Sequence, residues 1–588
     1  MTDILNTLYE EKFLRDIDIQ FAGHMTQVFR ADGQELFYAV LFYAVSSAHT
    51  CLRTDRLSAL PFYERFQVEL DECFGGENIK KLRDIGAVSD STSMSAPIIQ
   101  DGVRLYLKAF YLHEKNVAKY ITDCAGAQYR YDRDRLKNLL TKYFGAGEDM
   151  QKAAALNACL RKFCVISGGP GTGKTTTVFR VLAMLSELSE EPLSIGVCAP
   201  TGKAAARLTD SIRENMEKYS SESFIERIPQ KALTLHRLLK MTGNSELGGY
   251  GAENPMPYDI VVADEASMAD IRLMSVLAQA MKKDGRLILL GDKDQLASVQ
   301  PGSVLGDICS AADPDVFTES TAELMAYCAE TPVKADSTAE KLTDITIQLK
   351  KSRRFDDTKG IGLLAKACRD GDTASAIDVL RNDTSDQIDF IDLSDRFTDR
   401  IKEMSVDYFT KISQEHNAEA ALAQVSSFSI LTPHVKGALG TEGINALTLN
   451  TLYQKRLIDN TKKYFHGLPV MITENDYSLN LLNGTTGVIL SGDGLRAWFR
   501  EEDKTRSISV MRLPSWTPQF SMTVHKSQGS EFDHVVFILP EEDSPVITKE
   551  LFYTAVTRAK TRLTVISSEK AVKNCLKKRT ERYSGLFR

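Results

Sequence analysis

An α/β architecture of two lobes, each built on a parallel sheet, is predicted by three features of this 588-residue sequence. The first is length. A single hydrophobic core stops growing at roughly 250–300 residues, so the chain should hold more than one. The second is a series of short runs, apolar at almost every position and closed by Gly, Pro, Asp or Ser, that begins at residue 163. Such runs suit parallel strands covered on both faces, and the helical stretches between them suit βαβ units. The third is a gap that splits these runs into two sets.

The first set is Phe163–Ile166, Ile195–Ala199, Ile260–Ala263 and Leu287–Leu290; the second is Phe428–Leu431, Val535–Leu539 and Leu563–Ile566. Between 464 and 513 the pattern changes to short β-like pieces, Leu468–Ile472, Thr486–Leu490 and Leu495–Phe499, separated by Asn-Gly and Gly-Asp-Gly turns. That spacing predicts a small antiparallel β-barrel inserted in the second lobe. The expected division is therefore a mostly helical N-terminal domain over 1–110, a first lobe over 111–335 and a second over 336–588. Residues 311–348 read as a polar, acid-leaning connection. Residues 242–257 read as a mobile glycine-rich loop. A tandem repeat, Leu36-Phe-Tyr-Ala-Val40 then Leu41-Phe-Tyr-Ala-Val45, is too short for a membrane span of about 20 residues and reads as a buried helix or two short core segments.

Hydrophobic residues at 43% and charged residues at 26% place the chain among ordinary soluble proteins. The start, Met1-Thr-Asp-Ile-Leu-Asn6, lacks a basic start and apolar core, so no signal peptide, no membrane partner and a cytoplasmic location are expected. Ten cysteines are scattered singly with no CxxC pair; Cys159 and Cys164 are the nearest two. They read as buried free thiols rather than metal ligands. The formal net charge of −7 argues against a uniformly basic surface, but a local basic groove can still hold nucleic acid. The basic run Lys573–Arg582 reads as a solvated helix face. The acidic segment Asp383–Asp399 has no accompanying lysine motif and follows no strong strand, so no nuclease site is expected there.

Chemistry concentrates after the first apolar run. Gly168, Gly169, Pro170, Gly171, Thr172, Gly173, Lys174 and Thr175 match G-x-x-x-x-G-K-[ST], and Thr176 opens a helical stretch. Glycines let backbone N–H groups wrap phosphates, and a helix N-terminus favours negative charge. Lys174 would neutralise the β and γ phosphates of ATP, and Thr175 would bind Mg²⁺. About 90 residues further on, Asp264 and Glu265 follow directly on an apolar run. Two adjacent carboxylates at a strand end fit two tasks: Asp264 holding Mg²⁺, and Glu265 taking a proton from the attacking water. Gln295, just past a third run, could orient that water without titrating.

These motifs and their order resemble the superfamily 1 DNA helicases across residues 151 to about 566, and within them the RecD family, alpha subunits of the bacterial exodeoxyribonuclease V (RecBCD) complex. The resemblance is carried by Gln151, Ala199–Arg207, Thr234–Leu239, Asp264–Met268, Gly291–Gly302, Ser352–Phe355, Met522–Phe532 and Tyr553–Lys560. It implies two RecA-like P-loop lobes with ATP between them and the inserted barrel in the second. It implies Gln151 against adenine, and Arg354 and Arg558 as arginine fingers on the γ-phosphate. It places Gly529 and Glu531 at the nucleotide, Glu531 reaching the ribose. Relatives often carry an aromatic residue where this chain has Arg353, whose guanidinium plane can also stack on a base; the doubled arginine leaves open which of the two faces the phosphate. Thr201, Lys203, His236, His525, Lys526, Ser527 and Gln528 fall in motifs that face single-stranded DNA. The implied activity is ATP-dependent 5′→3′ DNA unwinding within a heterotrimer with RecB-like and RecC-like subunits at duplex ends, the exonuclease residing in another subunit. The N-terminal 110 residues, with their apolar repeat, would dock on a partner. A stand-alone RecD-like helicase and a structural subunit with an idle ATPase are the alternatives.

Overall fold

The computed structural model describes residues 2–220, 222–241, 248–312, 316–340, 342–393, 397–459, 461–476, 478–501 and 504–587. Two parallel sheets form its centre. The first runs in the order Thr346–Leu349, Phe163–Gly168, Arg286–Gly291, Ile260–Ala263, Ile195–Ala199, Leu233–Thr234, every pair parallel. The apolar runs are continuous because both faces are covered: Phe163, Val165, Val261, Leu287 and Leu289 enter one core, while Cys164, Ile166, Ile260, Val262, Ile288 and Leu290 enter another.

The second sheet runs Ile388–Ile391, Ala559–Ile566, Phe532–Ile538, Phe428–Thr432, Ser521–Thr523, again all parallel. Its strands alternate in the same way, with Val535, Phe537, Leu563 and Val565 on one side and Val536, Ile538 and Ile566 on the other. The insertion holds five antiparallel strands, Lys504–Ser509, Gly494–Glu501, Thr486–Gly492, Leu468–Ile472 and Trp516–Pro518. It runs past 513, to 518. Among the described residues no ladder joins its two edge strands, so the ring of a barrel is not closed by backbone pairing.

The N-terminal domain packs helices Thr2–Glu10, Asp16–Phe29, Glu35–Ser46, Gln67–Cys73 and Gly76–Asp84 against a four-stranded sheet, Leu52–Arg53, Arg104–Leu107, Ile98–Asp101, Val88–Asp90. The apolar repeat is the helix Glu35–Ser46, with Leu36 through Leu41 fully buried. It is the core of this domain, not a docking face.

Two boundaries differ from expectation. The described residues of 311–348, which read as a polar, acid-leaning connection, are part of the first lobe. Phe317, Met325 and Cys328 join the first-lobe core, and Thr346–Leu349 pairs with Phe163–Gly168, so the first lobe extends past 335. The acidic signal misled because Asp344 is buried, accepting from Arg161 Nη2 and Thr321 Oγ1, each at 2.8 Å. Of the glycine-rich loop 242–257, residues 242–247 lie outside the described residues. The rest is fastened, Gly249 N–H to Leu239 O at 2.9 Å and Met256 N–H to Ala280 O at 2.8 Å. All ten cysteines are buried and free. Among the described residues no helix is long and apolar enough to cross a membrane.

Candidate nucleotide and nucleic-acid site

The strand Phe163–Gly168 delivers the glycine loop to the helix Lys174–Leu188, whose cap Gly173 sits at φ +84°. Gly171 at φ +76° makes the turn before it, a conformation L side chains rarely adopt. Lys174 Nζ folds back onto the loop's own carbonyls, Gly168 O at 2.5 Å and Gly169 O at 3.2 Å, so the cation already stands inside the cradle. Gln151, buried, donates to Thr172 O at 3.2 Å.

The strand Ile260–Ala263 ends at Asp264, half-buried by surface area but with its carboxyl enclosed; that enclosure and then the neighbouring Glu265 carboxylate push the carboxyl above the usual range, with Lys174 opposing. Glu265 takes a left-handed backbone at φ +52°, a strained conformation that turns its side chain away from the strand line. Thr175, Asp264 and Glu265 share one cavity of about 200 Å³ with Lys174 and Gln295. Among the described residues no cluster of three or more His, Cys, Asp or Glu could hold a metal by itself. A hydroxyl and a carboxylate are the sparse, hard-oxygen set that suits Mg²⁺, which keeps water and takes phosphate oxygens for the remaining positions.

The second lobe closes this cavity with arginines. Arg558, 2% exposed, donates from Nη2 to Gln295 Oε1 at 2.9 Å, from Nη1 to Ser530 O at 3.2 Å and from Nε to Thr554 O at 3.3 Å. All three hydrogen-bond acceptors are neutral; burial lowers its pKa, with the nearby Glu265 carboxylate opposing. Arg354 lines the cavity and pairs with Glu531 at 2.7 Å. Arg353 does not line it. Its side chain turns to Glu148, and its N–H donates to Gly171 O at 2.8 Å. Of the two arginines, Arg354 is the one whose side chain lines the cavity. Thr176 and Gly529 also line the cavity, Gly529 at φ +70° against Ala204.

Three residues that sequence reasoning did not single out belong here. Arg207 lines the cavity and pairs with Glu531. Burial pushes Glu531's carboxyl up, but Arg207 and Arg354 outweigh it and hold the carboxyl below its usual value. Arg207 lies four residues beyond Lys203 on the helix Gly202–Lys218, and that spacing, one helical face, is the signal that could have found it. Tyr553 donates to Asp292 Oδ2 at 2.9 Å, and the same oxygen accepts from Gln295 Nε2 at 3.1 Å. These bonds join the lobes at the segment that carries Gln295.

The expected strand-binding residues divide. Thr201 caps the helix Gly202–Lys218, accepting from Ala204 N–H at 3.2 Å. His236 is exposed, and His525 and Lys526 are half-buried. Lys203 is half-buried by surface area, yet its ammonium end is fully enclosed; burial, then Arg558 and Arg207, bring it down to about 8. Ser527 and Gln528 are corrections. Ser527 is fully buried and its hydroxyl donates to Val524 O at 2.7 Å, holding a turn. Gln528 donates to Leu296 O at 3.1 Å and is an inter-lobe link. Facing Lys203, a cavity of about 250 Å³ runs under the insertion, lined also by Lys231, Arg237, Arg500 and Arg506. In the basic run Lys573, Lys577 and Arg579 are exposed, and only its end departs from a solvated face: Arg582 is largely enclosed and donates to Ser47 O at 2.6 Å. Asp383 caps its own turn, accepting from Ser385 and from the Gln387 and Ile388 N–H groups.

Three family models match the chain: an AAA domain over 151–301, a UvrD-like helicase C-terminal domain over 519–566, and the RecBCD enzyme subunit RecD N-terminal domain over 10–106. The RecBCD enzyme subunit RecD of Mycobacterium tuberculosis is 36% identical over 76% of this chain and 74% of its own. The ATP-dependent RecD2 DNA helicase of Deinococcus radiodurans is 28% identical over 68% of this chain and 46% of its own. A Bacteroides Pif1 helicase solved with ADP-AlF3 and ssDNA aligns with a TM-score of 0.38 at 15% identity, covering 73% of this chain and 94% of that one. The RecBCD enzyme subunit RecD of Haemophilus influenzae is 34% identical over 94% of this chain and 92% of its own length, so the chain belongs to the RecD subunit family.

Proposed function

We propose that the chain is an ATP-dependent DNA helicase moving 5′→3′ on a single strand, the motor subunit of a RecBCD-type heterotrimer with RecB-like and RecC-like subunits that processes duplex ends in the cytoplasm. The observation that carries this reading is the Arg558–Gln295 bond of 2.9 Å, which sets a second-lobe cation beside the first lobe's phosphate loop. Bound ATP with Mg²⁺ supplies the phosphoryl group and the charge change of each cycle. Lys174 and the glycine loop would hold the phosphates, and Thr175 and Asp264 the cation. Glu265 takes the proton of the attacking water while Gln295 orients it. Arg354 and Arg558 neutralise charge that grows on the transferring group, which makes lobe closure depend on the nucleotide. The strand would lie along Thr201, His236, His525 and Lys526, held through phosphate and sugar without reading sequence, with the enclosed Lys203 ammonium behind them. The N-terminal domain, which adds no side chain to the nucleotide cavity, would dock on a partner, and the exonuclease of the assembly would reside elsewhere.

The test is unwinding of tailed duplexes by the purified chain. Duplexes with a 5′ single-stranded overhang should open and those with a 3′ overhang should not. Opening from a 3′ overhang would overturn the polarity, and no strand-stimulated ATP hydrolysis would overturn the motor reading.

A further inference from the structure

The motor reading leaves the end of the chain without a task. After the helix Glu569–Lys577 the tail is still held on the second lobe at Thr580, whose N–H and hydroxyl donate to Glu550 at 3.0 and 3.1 Å. From Arg582 onward its partners belong to the N-terminal domain and the first lobe. Arg582 donates from Nη1 to Ser47 O at 2.6 Å and from Nη2 to Ser298 O at 3.5 Å. Tyr583 N–H donates to His49 Nδ1 at 2.9 Å, and its ring stacks on that imidazole at 4.6 Å and 16°. The Tyr583 carbonyl accepts from Thr50 N–H at 3.0 Å and from its hydroxyl at 2.8 Å. Gly585 N–H donates to the buried Glu114 carboxylate at 3.1 Å, and Leu586 is packed into a first-lobe core.

The loop 47–50 is also held from its other side. Ala48 O accepts from Gly302 N–H at 3.1 Å, and Ser298 Oγ donates to Gly302 O at 2.9 Å. Ser298 lies three residues past Gln295, the acceptor of Arg558. Arg582 thus ties three bodies together. Ser298 belongs to the phosphate-sensing segment and Ser47 to the N-terminal domain, while the tail itself comes from the second lobe. Its charge also reaches His525, whose imidazole burial and then Arg582 hold below the usual value. Only one residue, Glu581, separates Thr580 from Arg582, a span of at most about 7 Å, so the tail has no slack to absorb relative movement of the lobes. A planar guanidinium fork suits two carbonyls from different domains better than a single ammonium does.

We propose that Arg582 is a positioning residue of the motor: it clamps the Ser298–Gly302 segment to the Ser47–Thr50 loop, so that strand binding near His525 and ATP turnover stay coupled while the tail is seated. This rests on the helicase reading, and the experiment has one arm that does not. In the full chain, amide exchange at Thr50 and Gly302 should change when a non-hydrolysable ATP analogue is added, and that change should vanish in Arg582→Ala. In the second arm, ATP turnover is titrated with oligo(dT). Arg582→Ala should raise the half-maximal oligonucleotide concentration about tenfold, within the range of coupling changes seen on mutation, while turnover without DNA stays within about twofold. Arg582→Lys, which keeps the stem and one donor, should fall between, and serves if the alanine variant folds poorly. An analogue-insensitive exchange pattern in the unaltered chain would overturn the clamp, as would an unchanged half-maximal concentration in both variants. A lack of DNA stimulation in the unaltered chain would instead sink the helicase reading and leave exchange to decide the clamp.

Discussion

Replacing Arg558 with alanine tests the inter-lobe site most directly. The side chain is 2% exposed and its guanidinium is spent on three neutral acceptors, at 2.9, 3.2 and 3.3 Å. Truncation strands Gln295 Oε1 and Ser530 O, at about 1–3 kcal/mol for each buried orphan. The variant should therefore melt earlier yet still fold, since the surrounding cores keep their apolar contacts. Catalysis should suffer far more. An arginine finger is worth about 10³–10⁵ in turnover, or about 4–7 kcal/mol at about 1.4 kcal/mol per decade. Partial unfolding cannot imitate this: a thousandfold loss would need about 99.9% of the chain unfolded, which circular dichroism would show at once. The assay is strand-stimulated ATP hydrolysis beside fluorescent-nucleotide binding. The expected result is a fall of about 10³ or more in turnover with nucleotide affinity almost unchanged, since no phosphate-loop donor is touched. Arg558→Lys should recover little, because one ammonium cannot replace the fork that reaches Gln295, Ser530 and Thr554 together. A loss below tenfold, or a parallel fall in affinity, would refute the finger assignment.

Glu265→Gln should keep nucleotide binding and lose about 10²–10⁴ in hydrolysis, the range for a general base, whereas Lys174→Gln should abolish both; near-normal turnover in either removes the site. Gly171→Ala places a Cβ 2.4 Å from Arg354 Cβ at φ +76° and should separate the lobes with loss of turnover. Gly86→Ala, at the same φ of +76° but with open space around it, is the control that carries only the backbone strain of about 1–2 kcal/mol; equal effects on turnover would count against the clash. Lys203 is held near 8, below its ordinary 10.5. A base whose folded pKa is depressed costs stability below pH 8, and the cost fades as pH rises from about 8 to 10.5. Stability relative to Lys203→Met should therefore rise across that window, and a flat difference in urea melts would show the enclosure to be wrong.

Much of this protein could be read from local pattern alone. Continuous apolar runs need two covers, and the structure supplies them by sending Val165 and Ile166 to opposite faces of one sheet. The glycine loop, Lys174, Asp264 and Glu265 were legible because a phosphate cradle and its carboxylates sit at fixed distances from strand ends, so adjacency in sequence stands in for adjacency in space. Edge strands were not legible. Thr346–Leu349 mixes polar and apolar residues, and Asp344 before it looks solvated until Arg161, 183 positions away, comes to meet it. Nor could the sequence show that Ser527 turns inward, that Arg207 shares Glu531 with Arg354, or that Arg582 reaches Ser47 across 535 positions. The charge of each such group is plain in the sequence, but its partner is chosen by the packing of separate lobes. A charge written in the sequence has only a sign; the tertiary structure decides whether it meets water, a carbonyl or an opposite charge.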